Sequence, residues 1–372
     1  MRKQYIASLF AAIALTLAAC PALAAGEEPQ PAADSLAILD TKVGTLDGEV
    51  SALRKIVDKL PNISGFMQML YTWENTDPVT SQFRVRRARI TLTGDIYKQY
   101  ADYNFMVDFA GSVKIIDAFV RFTPLKQLNL QVGSFRPSFS LENFNYGATT
   151  MELIDYPQIV SKMTTIGDIS GAGNGAAGRD IGLQLYGGFF NSRGFSTLQY
   201  YVGVFNGNGL DFNGINSDKD IAAMLRINPV KELAIIGSAY FGQWAPNGKG
   251  SYADRNRWSA GFMFDNRKWF ARGEYISGVT GAIPGIDGNL HTDGAYIIAG
   301  AWFANRKAAP VIRAEYYTPD TSNRSNTDIF YTVGALYCPW KYLRLQLNYT
   351  AKTYTYDSPT GHQVLLMLTG MF

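Results

Sequence analysis

From Asn62 to Phe372 polar and apolar residues alternate with a period of two through about sixteen short segments. A strand turns successive side chains to opposite faces, so this pattern demands a sheet with one apolar and one wet surface. Residues 103–109 (YNFMVDF) set Tyr103, Phe105, Val107 and Phe109 against Asn104, Met106 and Asp108. Residues 343–349 (LRLQLNY) set Leu343, Leu345, Leu347 and Tyr349 against Arg344, Gln346 and Asn348. Segments of this kind fall near 62–73, 83–96, 100–111, 113–123, 127–136, 179–190, 195–206, 218–228, 232–243, 256–266, 268–278, 293–304, 308–317, 327–338, 341–353 and 362–372. Most have about the length that a tilted strand needs to cross a bilayer.

The connections sort themselves in the same sense. Every second one is short and turn-like, as at Thr123-Pro124-Leu125-Lys126, Asn228-Pro229-Val230-Lys231 and Asn305-Arg306-Lys307. The intervening ones, such as 207–217, 244–255 and 279–292, are longer and polar. Short turns at one rim and long loops at the other are expected of an outer-membrane barrel. Composition agrees: 22 Tyr, 22 Phe and 36 Gly accompany a mean hydropathy of only −0.07. Beyond the first residues no apolar run reaches the roughly 18 residues of a membrane-crossing helix. The expected fold class is therefore all-β: a transmembrane antiparallel β-barrel of about sixteen strands over residues 62–372.

The N-terminal part obeys other rules. Arg2 and Lys3, the apolar stretch Ile6 to Leu17, and Ala22-Leu23-Ala24 make residues 1–24 a signal peptide cleaved after Ala24. Leu17-Ala18-Ala19-Cys20 resembles a lipobox, but Pro21 directly after the cysteine argues against lipidation. Residues 25–34 read as a flexible leader. Over 35–61, Leu36, Leu39, Val43, Leu46, Val50, Leu53, Val57 and Leu60 alternate spacings of three and four. That is a heptad seam, expected to drive self-association as a periplasmic coiled coil, with a single surface-lying amphipathic helix as the simpler alternative. Pro61 stops the helix. An even strand count would put both barrel ends at the periplasmic rim.

Several functions are excluded. Cys338 is the one cysteine beyond the signal peptide and only His291 and His362 occur, so no metal site or covalent haem is expected and no cofactor. A net charge of +3 implies no nucleic acid. The Gly171 to Gly178 run lacks the Lys-Ser/Thr and helix of a phosphate-cradling loop, so it reads as flexible chain. His362 near Asp357 and Ser358 is the one suggestive catalytic trio, and residues so close in sequence rarely form a nucleophile–base array. No enzyme is expected.

What remains is the lumen. Segment 137–178 is far longer than any other connection, as functional loops are, and carries Glu142, Glu152, Asp155, Lys162 and Asp168. The densest charge is Arg84, Arg86, Arg87 and Arg89. If Phe83 and Val85 face lipid, a parity slip near Arg86-Arg87 is needed for Ala88, Ile90 and Leu92 to do so too. A bulge there would turn all four arginines inward, away from lipid, where an arginine at mid-bilayer costs roughly 2–4 kcal/mol. Alternation also turns Arg121, Arg226, Arg272, Arg313 and Arg344 inward, opposite Asp102, Asp108, Asp117, Glu274 and Glu315. Such residues either draw anions along a basic track or brace the wall as cross-strand ion pairs.

The segments FRVRRARITLTGDI (83–96), YNFMVDFAGSVKIIDAFVRFTP (103–124) and LQVGSFRPSFSLENF (130–144) resemble the phosphate-selective porin O and P family. The N-terminal layout and the terminal Phe372 fit as well, Phe372 resembling the signal read by the outer-membrane assembly machinery. The resemblance implies a sixteen-stranded trimer in outer-membrane lipid, with arginines along a pore for small solutes or anions. Arg136 and Arg179, at the two roots of an inward-folded third loop, would join that set. Phosphate selectivity in the family depends on a constriction loop rich in lysine and arginine, and here Lys162 is its one lysine. The expected function is thus that of an outer-membrane porin giving passive diffusion of small hydrophilic solutes, with a preference for phosphate-like anions. The alternative is a barrel that sheathes partner envelope proteins such as an electron-transfer conduit.

Overall fold

The computed structural model describes residues 32–57, 60–75, 78–192, 194–211, 218–246, 252–356 and 359–372. The signal peptide with Cys20, most of the leader, and the pair Asp357 and Ser358 lie outside the described residues. Two units are distinguished, residues 1–60 and 61–372.

In the first unit, Ala32–Val57 form one helix, α1. It starts within the span expected as leader, and Leu60 falls in a bend beyond it, so Leu60 does not extend the helical seam. Pro61 forbids the last turn that Leu60 would have needed. Leu39, Val43, Leu46, Val50 and Leu53 all stand exposed along α1.

The second unit is a closed antiparallel barrel of sixteen long strands. They are β1 (Asn62–Glu74), β2 (Thr80–Tyr97), β3 (Ala101–Asp108), β4 (Lys114–Phe122), β5 (Asn129–Phe135), β6 (Asp180–Ser192), β7 (Phe195–Phe205) and β8 (Asp220–Val230). The circuit continues with β9 (Leu233–Phe241), β10 (Ala253–Asp265), β11 (Trp269–Gly281), β12 (Asn289–Ala301), β13 (Ala308–Thr318), β14 (Asp328–Trp340), β15 (Leu343–Tyr354) and β16 (Gly361–Met371). Gln243–Trp244 add a two-residue strand above β10. Closure pairs β1 with β16 from Phe66↔Met371 to Glu74↔Gln363. Gly65 and Phe372 then exchange backbone hydrogen bonds at 3.2 and 3.0 Å.

The alternation settles which way each side chain points. Leu183, Leu185, Val202, Ile221, Leu225 and Ile235 are outward and exposed, as a lipid-facing belt requires. Aromatic residues such as Tyr97, Phe122, Phe190, Trp269 and Trp340 cluster at the rim of short turns, where their amphipathic rings suit a membrane interface.

Two irregularities shape the wall near the long loop. Along β1 and β2 the register runs Gln68↔Arg87 and then Met69↔Val85, so Arg86 is the extra residue of a bulge. The slip lies where the parity of the arginine run required it. Between β3 and β4 a second shift leaves Ile116 unpaired. Close by, Gly133 in β5 has φ +131, and a Cβ there would collide with the Ala118 carbonyl. That backbone suits glycine alone.

Candidate lumen and inward loop

With β5 ending at Phe135 and β6 starting at Asp180, the long connection runs from 136 to 179. It holds two short helices, α2 (Leu141–Asn145) and α3 (Gln158–Lys162). Its apolar residues Phe139, Leu141, Leu153, Ile159, Val160 and Met163 are buried against inward-facing side chains of the wall. The segment therefore lies inside the barrel, fixed by packing as well as by polar contacts.

Its acids are consumed by arginines of the wall. Glu142 takes Arg272 Nε and Nη2 at 2.6 and 2.9 Å, and Glu152 lies 2.8 Å from the same Nη2. Tyr146 supports that guanidinium with its ring centroid 3.9 Å away. Asp155 meets Arg86 Nη2 at 2.5 Å. Asp168 accepts from Arg257 Nη1 and Nη2 at 2.5 and 2.9 Å. Burial alone would raise the Asp168 carboxyl, yet Arg257 and then Arg255 hold it below the usual carboxylate range.

Backbone contacts complete the attachment. Glu274 accepts from Leu141 N–H at 2.7 Å and from Ser140 Oγ at 2.9 Å. Glu315 accepts from Gln158 N–H at 2.5 Å. Arg313 donates to the Asp155 carbonyl at 2.7 Å, and Arg344 donates to the carbonyls of Thr149 and Met151. Gln68 Nε2 reaches the Ala148 carbonyl at 2.9 Å. Most of these anchors sit on β10, β11, β13 and β15. Arg272, Arg313 and Arg344 face inward, but they lie buried beneath the loop and hold it.

The wall from β2 to β7 stays open. A cavity of about 400 Å³ is lined by Arg89, Arg121, Arg136 and Arg179 with Gln131, Gln184, Tyr186 and Tyr201. A chamber of about 210 Å³ shares Arg89, Arg136 and Arg179 with it and adds Arg87. At the rim of short turns, a third space of about 600 Å³ shares Tyr186 and Tyr201 and adds Lys126. Asp117 is the one carboxylate among these linings, and it is paired with Arg179 Nε at 2.9 Å.

The arginines along this passage fall into two kinds. Arg89 pairs with Asp108 at 2.7 Å, and Arg121 with Asp102 at 2.8 Å. Arg87 donates to Gln68 Oε1 at 2.8 Å. Arg136 donates to the Asn143 carbonyl at 2.8 Å, the Tyr146 carbonyl at 2.5 Å and Tyr156 OH at 3.1 Å. Among the described residues neither Arg87 nor Arg136 has a carboxylate partner, so both bring uncompensated charge to the passage. Arg84 stands opposite inward-facing Leu70 and is exposed. Arg226 faces inward near the short turns and donates to Asn228 at 2.9 Å. Lys162 ends α3 and is exposed.

Arg255 and Arg257 of β10 are buried inward-facing residues that the sequence reading left out. Arg255 is fully buried and donates to Asp220 at 2.5 Å, Tyr240 OH at 3.0 Å and the Gly207 carbonyl at 2.8 Å. The clue was the alternation in Asp254-Arg255-Asn256-Arg257-Trp258; a strand expected to begin at 256 instead of Ala253 left Arg255 outside it and Arg257 at its edge. His362 is bonded to Tyr349 at 2.8 Å on the outer face, away from the lumen.

A model of the family described as phosphate-selective porin O and P matches residues 61–305. The chain belongs to the phosphate-selective porin O and P family. It is thus an outer-membrane porin, and its barrel agrees with solved porin structures. The anion-selective porin from Comamonas acidovorans superposes with a TM-score of 0.65 at 12% identity, covering 84% of this chain and 99% of that one. Salmonella typhi OmpF in complex with daunomycin gives 0.63 at 14%, covering 85% and 98%. The trimer form of Vibrio cholerae OmpT gives 0.59 at 9%, covering 84% and 99%. At these identities the likeness concerns the fold. No curated protein matches the chain.

Proposed function

We propose that this porin passes small anions along the β2–β7 wall, with Arg87 and Arg136 supplying the selecting charge. One observation carries the reading: four loop acids, Glu142, Glu152, Asp155 and Asp168, are each paired with a wall arginine. The passage itself keeps two guanidinium groups bonded to neutral partners. A pore lined this way attracts anions and repels cations. The anion-selective character named for the Comamonas neighbour points the same way. Phosphate remains one candidate among small anions, because Lys162 stands in α3 beside Asp328 and outside the passage linings.

The loop's attachment to half the wall also disfavours a sheath, which needs a lumen clear enough to admit a partner. Residues 1–24 act as the export signal in this proposal. The exposed apolar seam of α1 and the trimer form of the OmpT neighbour support a homotrimer.

Reversal potentials of the refolded porin under a potassium chloride gradient test the proposal. Chloride should be preferred, and Arg87→Gln with Arg136→Gln should bring the preference close to unity. Arg87→Lys should largely retain it. A cation-preferring or indifferent wild-type channel overturns the assignment.

A further inference from the structure

Between the central cavity and the mouth at the short turns stand two tyrosines, Tyr186 of β6 and Tyr201 of β7. They are directly opposite in the register and both line the spaces on either side. Their rings are nearly parallel, at 8°, with centroids 5.9 Å apart. Phe144 of the inward loop abuts Tyr201 edge-on at 4.9 Å and 70°, which fixes that ring's orientation. Their inward direction excludes a role in the membrane-interface girdle. Among the described residues the surrounding lining offers Asn129, Gln199 and Lys126 and no carboxylate. Arg121 joins the same tyrosines in the central cavity, its Nε on Asp102 at 2.8 Å.

We propose that Tyr186 and Tyr201 form a stacking site for planar ring-bearing carboxylates at the porin's inner exit. This rests on the anion-passing reading and narrows it to a solute class. A neutral sugar could use the rings and accept hydrogen bonds from Arg121 and Lys126, but would gain no charge attraction from them. A small inorganic anion could use the charges but not the rings. An aromatic acid uses both, with the ring on the tyrosines and the carboxylate at the basic side chains. An aromatic pair adds about 1 kcal/mol beyond area burial, which is roughly fivefold in affinity.

The test is ion-current block in planar bilayers, with sodium benzoate added at the short-turn side and acetate as the ring-free control. Benzoate should interrupt the chloride current at a concentration about fivefold below that at which acetate perturbs it. Tyr201→Ala and Tyr186→Ala should each shrink that ratio towards one, whereas Tyr201→Phe should retain it. If an alanine variant fails to assemble, the benzoate-to-acetate ratio of the unaltered channel decides. Equal action of the two acids on an anion-preferring channel overturns the stacking site alone. Loss of chloride preference in the unaltered channel overturns the reading beneath it.

Discussion

Arg272→Met tests the view that ion pairs hold the inward loop against the wall. The side chain is 2% exposed and stands between Glu142 and Glu152, with three contacts of 2.6 to 2.9 Å. Methionine fills a similar volume but leaves two buried carboxylates without their cation. Removing one partner of a buried ion pair costs about 3–5 kcal/mol. Tenfold per 1.4 kcal/mol makes that about two to three and a half orders of magnitude in the population of a detached loop. The barrel's backbone ladder does not use the Arg272 side chain, so strand content and heat-modifiable mobility should stay near wild type. Single-channel records should instead show frequent excursions to a larger conductance, as segment 142–152 leaves β11. Combining Arg272→Met with Glu142→Gln and Glu152→Gln removes the stranded charges and should quieten the channel. Wild-type gating in the single variant, or equal noise in the triple, would refute the reasoning.

Other expectations follow from the same geometry. Asp155→Asn frees the Arg86 guanidinium from its carboxylate, so chloride preference measured by reversal potential should rise. Asp168 has a folded-state pKa held below its unfolded value, so its tether is fully present above the ordinary aspartate range near pH 4 and is lost as pH falls through the lower folded value. The Asp168–Arg257 tether should accordingly hold from pH 7 to about 4 and loosen only below that, a change that Asp168→Asn should abolish in single-channel noise. Gly133→Ala forces a Cβ onto the Ala118 carbonyl and should lower the yield of folded barrel on gels by several-fold. Leu46→Asp with Leu53→Asp on α1 should weaken assembly, seen by light scattering, while conductance per channel is retained.

Much of the barrel was legible because strand parity is a local property. Arg84 to Arg89 show why: lipid must meet Phe83, Val85, Ala88 and Ile90, so one residue has to be skipped, and Arg86 is that residue. Parity could also say that Arg272 and Arg121 share the inward face. It could not say that Arg272 meets Glu142, which is 130 residues away, while Arg121 meets Asp102 on the neighbouring strand. Loop contacts depend on the path of residues 136–179 across the lumen, and that path follows from packing of Leu141, Leu153, Ile159 and Met163 against the far wall. Arg255 and Arg257 were obscured for another reason. Their strand begins beside a polar loop, where charges read as solvated chain.

The two readings of inward arginine, basic track and wall brace, therefore apply to different parts of one lumen. On β10, β11, β13 and β15 the loop supplies acids and carbonyls to Arg257, Arg272, Arg313 and Arg344, which become fasteners. On β2 the same residue type remains beside the open passage, with Gln68 bonded to Arg87 where an acid would have cancelled it. A loop with a basic surplus would be repelled by the arginines of the far wall. The slightly acidic loop is drawn to that wall instead, and its burial there leaves the positive charge on the other side for solutes. The proposed anion preference is thus a consequence of where the loop's acids are spent, and adding one carboxylate opposite Arg87, as in Gln68→Glu, should abolish much of it.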